Sequence, residues 1–551
     1  MISNYNGSHA RWTQPSRRRF LSIGMTAGLA AAVAACSDGT TTSKTPASPA
    51  AATSVREPKR GGTLRWGLEA TIETLDPTFT AAAVTTQLAM NLYDQLFTWD
   101  ADQQVKPVLV ASHEASSDRR LYRFTLRDDA TFEGGRPVLA SDVVASIQRW
   151  GKTVSSGRQA AALFNSLEAR GERSFAIELM EPWSVLIDTL AAGPKAPYIM
   201  TEEAASTPIG TPVNDVVASG PFRLQEWVKG SEIILQRRED YAGPPGPSSN
   251  AAGSRTVYLN TVDIPIIPDP NSRLAAFQAG TLDALAQPPP DYFDQLNGSS
   301  DVEVYEQTIG FYNAIYLNHT RPPFDSQLAR QAVLAAVDVD QFMTAGWGTN
   351  AWEKCPAIFG CTGPLTSQVG ADRFDQKNLT TARQLFQQFQ QSTNYDGRPV
   401  TLVGNTSYRY MYNMSLVAKS MLEAIGFKVD LQTPDWATAL AVRNNPEKWD
   451  LFHTGGHGPG SSDPLRSTIL SPSYVGKYTS AALDDLKQQF AKAPSLEQAR
   501  PVVDEIQALW YDDVPAIFLG VSHNYDALKT YVKGYDNASL ASLFWNVWLD
   551  R

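Results

Sequence analysis

Apolar positions along this chain recur with two periods. Thr63-Leu64-Arg65-Trp66-Gly67-Leu68 alternates polar and apolar residues, and Leu121 to Leu126 and Phe175 to Leu179 do much the same, so each predicts a half-buried strand. Leu75-Asp76-Pro77 reads as a turn. From Thr85 to Phe97 the period lengthens: Leu88, Leu92 and Leu96 fall at i, i+4 and i+8, which predicts a helix. Ser141-Asp142 is placed to cap a second helix through Trp150. Ile233 to Gln236 and Val262 to Ile267 read as strands, followed by a helix from Ser272 to Ala279 closed by Gly280, then Leu282 to Leu285. Val400 to Val403 leads into a helix from Met411 to Ala424 closed by Gly426, then strands Phe427 to Leu431 and Trp449 to Phe452. Strand and helix alternate throughout with no internal repeat, which predicts an α/β chain with mixed sheets.

Composition adds scale and compartment. At 43% hydrophobic and 19% charged, 551 residues exceed one core's usual size, so two or three domains are expected. The formal net charge of −10 argues against nucleic acid, which needs a basic surface.

The N-terminal stretch carries two addresses. Arg17-Arg18 followed by Arg19-Phe20-Leu21 and a mild apolar run resembles a twin-arginine export signal. The run Ile23 to Ala35 is short of the ~20 apolar residues of a membrane helix. It ends in Val33-Ala34-Ala35-Cys36, which resembles a bacterial lipobox, so residues 1–35 are expected to be removed and Cys36 lipidated. Loss of that segment, with four arginines and no acid, would take the net charge from −10 to −14. Residues 36–60, rich in Ser, Thr, Ala and Pro, read as a flexible tether of up to roughly 80 Å. Outside the cytosol the remaining cysteines, Cys355 and Cys361, are expected to form a disulfide.

Several blocks, in order, resemble the family 5 extracellular solute-binding proteins of ABC importers, which include binders of peptides, nickel and heme. The blocks are Gly61-Gly62-Thr63-Leu64 with Leu75-Asp76-Pro77, Asn91 to Phe97, Tyr122 to Arg127, and Thr131 to Gly135 with Pro137 to Val143. Ser219-Gly220-Pro221-Phe222 with Glu226-Trp227 and Arg238 to Tyr241, Pro323 to Ala332 with Ala336-Val337-Asp338, and Gln507 to Leu519 continue it. The resemblance implies a type II periplasmic-binding-protein fold of two lobes around a hinge, enlarged by a third domain. Residues 61–100, 215–310 and 515–551 would form lobe I, 101–214 the extra domain and 311–514 lobe III. It also implies delivery of a peptide to an ABC permease, with an oligopeptide favoured over a dipeptide. Nickel chelate, heme and oligosaccharide or opine-like solutes are the alternatives within the family. The expected protein is a monomer without cofactor, held on the extracytoplasmic face of the membrane by lipid.

Catalytic signatures weigh against the other class, an exported hydrolase: there is no Gly-x-Ser-x-Gly, His-Glu-x-x-His or Walker loop. His453 and His457 stand at i, i+4, but the Thr454-Gly455-Gly456 between them disfavours a helix and hence a metal pair. That Gly-rich stretch, running on to Asp463, lets backbone approach a ligand closely. By resemblance it faces the cleft, with His457 near the position of the acid that pairs with a dipeptide's ammonium. Asn405 stands near the family's carboxylate-binding arginine, and Arg409 follows four residues on. Both departures weaken a strict dipeptide reading and leave longer peptides, or another solute, open. Tyr408, Tyr410, Tyr412 and Trp436 fall near the implied cleft wall and offer apolar faces with polar handles. The candidate ligand contacts are therefore Asn405, Tyr408, Arg409, Trp436, His457 and Asp463, with no metal ligands.

Overall fold

A computed structural model of the protein describes residues 57–551 apart from 81, 308–309, 458–463, 466, 473, 494 and 537–540. Cys36 and Asp463 lie outside the described residues.

The alternating segments assemble into three principal sheets. The first has seven strands in the order Val302–Glu306, Tyr525–Lys529, Ala284–Leu285, Thr63–Gly67, Thr261–Pro265, Glu232–Arg237 and Phe222–Val228. Its centre is parallel: Thr63–Gly67 runs alongside both Thr261–Pro265 and Ala284–Leu285. Leu64 and Trp66 are fully buried, whereas Thr63 between the glycines and Leu64 is exposed, as the alternation requires. The second sheet has six strands, Trp352–Glu353, Ala516–Ser522, Phe311–Leu317, Leu451–His457, Val400–Val403 and Val429–Gln432. There Val400–Val403 is parallel to both of its neighbours. A four-stranded antiparallel sheet, Val110–Ala115, Leu121–Leu126, Ser174–Leu179 and Phe164–Ala169, forms the extra domain. This is the mixed α/β architecture that the sequence implies.

Three expectations shift. Strand Ala516–Ser522 sits inside the six-stranded sheet, paired with Phe311–Leu317, so the return to lobe I falls at 523–524 instead of 515. The helix expected from Thr85 to Phe97 runs over Ala83–Leu92 only. Asp94 N–H then donates to Ser219 Oγ (2.9 Å) and Gln95 Nε2 to Gly193 O (2.6 Å), which pulls the chain out straight, and Leu96 is buried from that extended segment. The helix expected through Trp150 spans Ala140–Thr153, and Asp142 serves it from inside the first turn, accepting from Leu139 N–H at 2.9 Å.

Two polar arrangements fix the lobes internally. Cys355 and Cys361 are disulfide-bonded with Cα atoms 5.4 Å apart. Their loop is held from within by Tyr312 Oη, which donates to Ala357 O (2.6 Å) and accepts from Gly360 N–H (3.0 Å). Asp76, read as part of a turn, is fully buried and paired with the equally buried Arg149 at 2.9 Å. The guanidinium also donates to Thr78 Oγ1 (2.7 Å) and Thr207 O (2.6 Å), and Asp76 accepts from Val213 N–H (2.9 Å). One ion pair thus joins the loop after the first strand, the helix Ala140–Thr153 and the segment returning to lobe I. Removing one partner leaves a buried charge without its counter-ion, so Arg149→Ala is expected to cost about 3–5 kcal/mol. Urea unfolding checks this; a loss under 1 kcal/mol refutes the assignment.

Candidate functional site

In open α/β sheets the crevice beyond the carboxyl ends of parallel strands is the usual place for a ligand. Here two such edges meet. From the seven-stranded sheet the chain leaves Thr63–Gly67 into Leu68-Glu69 and leaves Ala284–Leu285 into Ala286-Gln287. From the six-stranded sheet it leaves Val400–Val403 into Gly404-Asn405. The sheets are joined by two short crossings, 307–310 and 523–524, which bond to each other: Gln307 N–H donates to Asn524 O (2.8 Å), and His523 Nδ1 bonds Gln307 O (2.7 Å). The lobe I segment 289–297 then reaches lobe III. Arg409 Nη1 meets Asp291 Oδ2 at 2.9 Å, and Asn350 Nδ2 donates to Asp294 Oδ1 at 2.8 Å.

The lobe III wall is aromatic. Tyr408 precedes the helix Arg409–Ile425, which buries Met411, Met414, Ala418, Leu422 and Ile425. On its outer face Tyr408, Tyr412 and Leu416 are 42%, 37% and 44% exposed, an apolar row at i, i+4, i+8. Trp436 opens the helix Trp436–Arg443, which Asp435 caps through Thr438 N–H (3.1 Å), and its ring meets Tyr408 edge to face at 5.6 Å. Tyr408 in turn neighbours Tyr410, which lies 4.6 Å from Trp347. Tyr408, Arg409 and Trp436 are thus brought together at the mouth of the crevice.

Other expected site residues are placed differently. Asn405 is fully buried, with Oδ1 accepting from Tyr408 N–H (3.0 Å) and Nδ2 against Met411 Sδ (2.9 Å). It shapes the turn into the helix and presents no polar atom to a ligand. Arg409 is an open-surface cation with its side chain 80% exposed. His457 ends strand Leu451–His457 with its backbone opposite Tyr312, so the i, i+4 spacing from His453 spans about 13 Å of strand. His453 is a core residue: Nδ1 faces Met411 O (3.1 Å) and Ser415 Oγ (3.0 Å), and burial pushes it down to about 4. Among the described residues no group of three or more His, Cys, Asp or Glu is arranged to hold a metal ion.

The lobe I wall escaped sequence reasoning. Glu69 lies just past the carboxyl end of Thr63–Gly67, and its Oε2 is buried with no hydrogen-bond partner. Burial pushes its carboxyl up to about 7, with its own backbone N–H and Arg273 opposing and Asp526 reinforcing. Asp526, at the start of strand Tyr525–Lys529, accepts from Gln287 N–H (3.0 Å) and Tyr535 Oη (2.6 Å), and burial raises it to about 6. The usable signal was position: a carboxylate directly after an apolar strand, at a carboxyl edge.

The family model of bacterial extracellular solute-binding proteins, family 5, matches residues 104–477. The chain belongs to that family. Among family 5 relatives, the probable peptide ABC transporter periplasmic-binding protein y4tO of Sinorhizobium fredii is 28% identical over 88% of this chain and 93% of its own length. The oligopeptide-binding protein AppA of Bacillus subtilis is 24% identical over 88% of this chain and 90% of its own. The solved structure of B. subtilis AppA with a nonapeptide superposes with a TM-score of 0.70 at 20% identity, covering 90% of this chain and 100% of that one. The binding protein AgaA of A. tumefaciens R10, in complex with agropinic acid, gives a TM-score of 0.71 at 21% identity over 89% and 99%. At such identities these structures speak to the fold alone, and the fold they share with family 5 is the one described above.

Buried His453 makes stability pH-dependent. An unfolded chain protonates this site below pH ~6.5, whereas the folded site resists until about 4. Its contribution is therefore intact above pH ~6.5 and is lost as pH falls toward 4. Between pH 7 and 5 the wild type should lose roughly 2 kcal/mol more than His453→Asn, which keeps the donor toward Met411 O. Urea midpoints at the two pH values measure it, and parallel losses in both proteins refute it.

Proposed function

We propose that this protein binds a peptide of more than two residues between its lobes and delivers it to an ABC permease. The observation that carries the reading is the row of apolar side chains at the crevice mouth, the half-buried Trp436 against exposed Tyr408, continued by exposed Tyr412 and Leu416. Eight residues of helix advance about 12 Å, the span of about four residues of extended peptide. Aromatic faces accept varied side chains, which suits a ligand read mainly through its length and backbone. The committed side chain of Asn405 supports the preference for length, because no cation stands there to clamp a dipeptide's carboxylate. The names of y4tO and AppA agree with the peptide class. Arg409 offers charge to a carboxylate in exchange for Asp291, and His457 and Asp463, on one Gly-rich segment, complete the proposed contacts.

Calorimetry with peptides of two to nine residues tests this. Tri- to nonapeptides are expected to bind and dipeptides to bind at least tenfold more weakly. Trp436→Ala should weaken binding about tenfold through lost aromatic contact, and Arg409→Ala less than tenfold, since its charge is exposed. Binding of a nickel chelate, heme, an oligosaccharide or an opine with no peptide binding overturns the reading in favour of that solute.

The anchoring part of the proposal rests on Val33-Ala34-Ala35-Cys36 following Arg17-Arg18. Cys36→Ala is expected to release the exported protein from the membrane fraction. Retention at wild-type levels, measured by fractionation and immunoblot, refutes a lipid anchor.

A further inference from the structure

We propose that the lobe I wall of the crevice is a cation subsite in which Glu69 receives an ammonium or guanidinium group of the bound peptide. The inference rests on the peptide reading above and names the chemistry of its ligand.

Three observations point to it. Glu69 Oε2 is sealed from solvent without a hydrogen-bond partner. An orphaned carboxylate oxygen costs roughly 1–3 kcal/mol or more, so its persistence at a ligand crevice calls for an incoming donor. Second, the carboxyl is met by its own backbone N–H, but among the described residues no neighbour donates to Oε2. Arg273, the cation closest in effect, is committed to Ile267 O (2.6 Å) and Pro268 O (3.5 Å), and no ion pair to Glu69 forms among the described residues. Third, the wall is acidic. Asp526, on strand Tyr525–Lys529, adds negative charge near Glu69, and its oxygens are occupied by Gln287 N–H and Tyr535 Oη, so it does not compete for the donor. Arg273 and Asp526 are the charged groups that act on Glu69, and they oppose one another.

The site sits at the carboxyl edge of the central parallel strands of lobe I, whereas the aromatic wall belongs to lobe III. A peptide held by its apolar side chains on lobe III would turn its cationic group toward lobe I. A donor arriving at Glu69 stabilises the ionised carboxylate, so a site partly protonated near pH 7 must release a proton as the cation binds.

Two tripeptide sets test this, one with lysine at each position in turn and one with glutamine there, each made with free and with acetylated N-termini. Titration calorimetry at pH 7 in buffers of different ionisation enthalpy reads affinity and proton release together. The lysine set, or the free-terminus set, should bind about thirtyfold tighter than its neutral match. Which set shows the gain separates a side chain from a terminus as the source of the cation. Proton release should accompany only the cationic peptides, and Glu69→Gln should abolish both the cationic preference and the proton release. The melting temperature of Glu69→Gln controls for folding. If that variant does not fold, the proton release of the wild type decides alone. Equal binding of cationic and neutral peptides, or no proton release, overturns the subsite and leaves the peptide reading standing. Binding of no peptide at all overturns both.

Discussion

The chain crosses between its two large sheets twice, at 307–310 and at 523–524, and the two crossings are bonded to each other. Everything functional depends on that constraint. It sets the carboxyl edge of one parallel core against the carboxyl edge of the other, which creates the crevice. It also confines relative motion of the lobes to a few backbone torsions, the usual form of a hinge. At Gly310 the first crossing leaves no room for a side chain. A Cβ at Gly310 would run into the Val521 side chain and come within 2.7 Å of Ser522 O. His523 stiffens the second crossing, with Nδ1 on Gln307 O and Nε2 3.5 Å from Glu353. Burial pulls this imidazole down, but Glu353 outweighs that and leaves it raised.

Much of this was legible in the chain because strands and helices follow local pattern. Leu64 and Trp66 alternate into the core as written, and the helix ending at Gly426 closes there with φ at +133°. What failed was anything decided by partners distant in sequence. Asp76 reads as a turn residue, and nothing near it announces Arg149, 73 positions later. Leu96 continues a helical period, yet bonds donated by Asp94 and Gln95 to Ser219 and Gly193 straighten the chain before it. The lobe boundary near 515 was misplaced because a strand shared between lobes in sequence belongs wholly to one sheet in space.

The candidate site was legible on one wall only. Tyr408, Arg409 and Trp436 fall in blocks that resemble a known family, and the structure gathers them at the mouth. Asn405 occupies a resembling position, but its amide is absorbed by its own turn. Glu69 and Asp526 lie in no motif and stand more than 450 positions apart. Only the placement of two strand ends at one edge makes them neighbours. The wall that sequence could find is the one built by local blocks, and the wall it missed is the one built by sheet topology.

The distribution of ion pairs follows the same division between what must hold and what must move. Lobe I and its extra domain are held by buried ion pairs, among them Asp76–Arg149 and Asp94–Arg255, whose oxygen and guanidinium nitrogen approach to 2.5 Å. Breaking such pairs costs several kcal/mol. At the crevice mouth the pair is Arg409–Asp291, with side chains 80% and 65% exposed, and pairs of that kind contribute about 0–1 kcal/mol. Driving a two-state opening from one side to the other takes about 5.5 kcal/mol of differential binding. A buried latch across the mouth would consume most of that, whereas an exposed one leaves the decision to the ligand. The lobes are therefore rigid where the chain is committed, and the polar contact between them is weak where a ligand must be able to enter and leave.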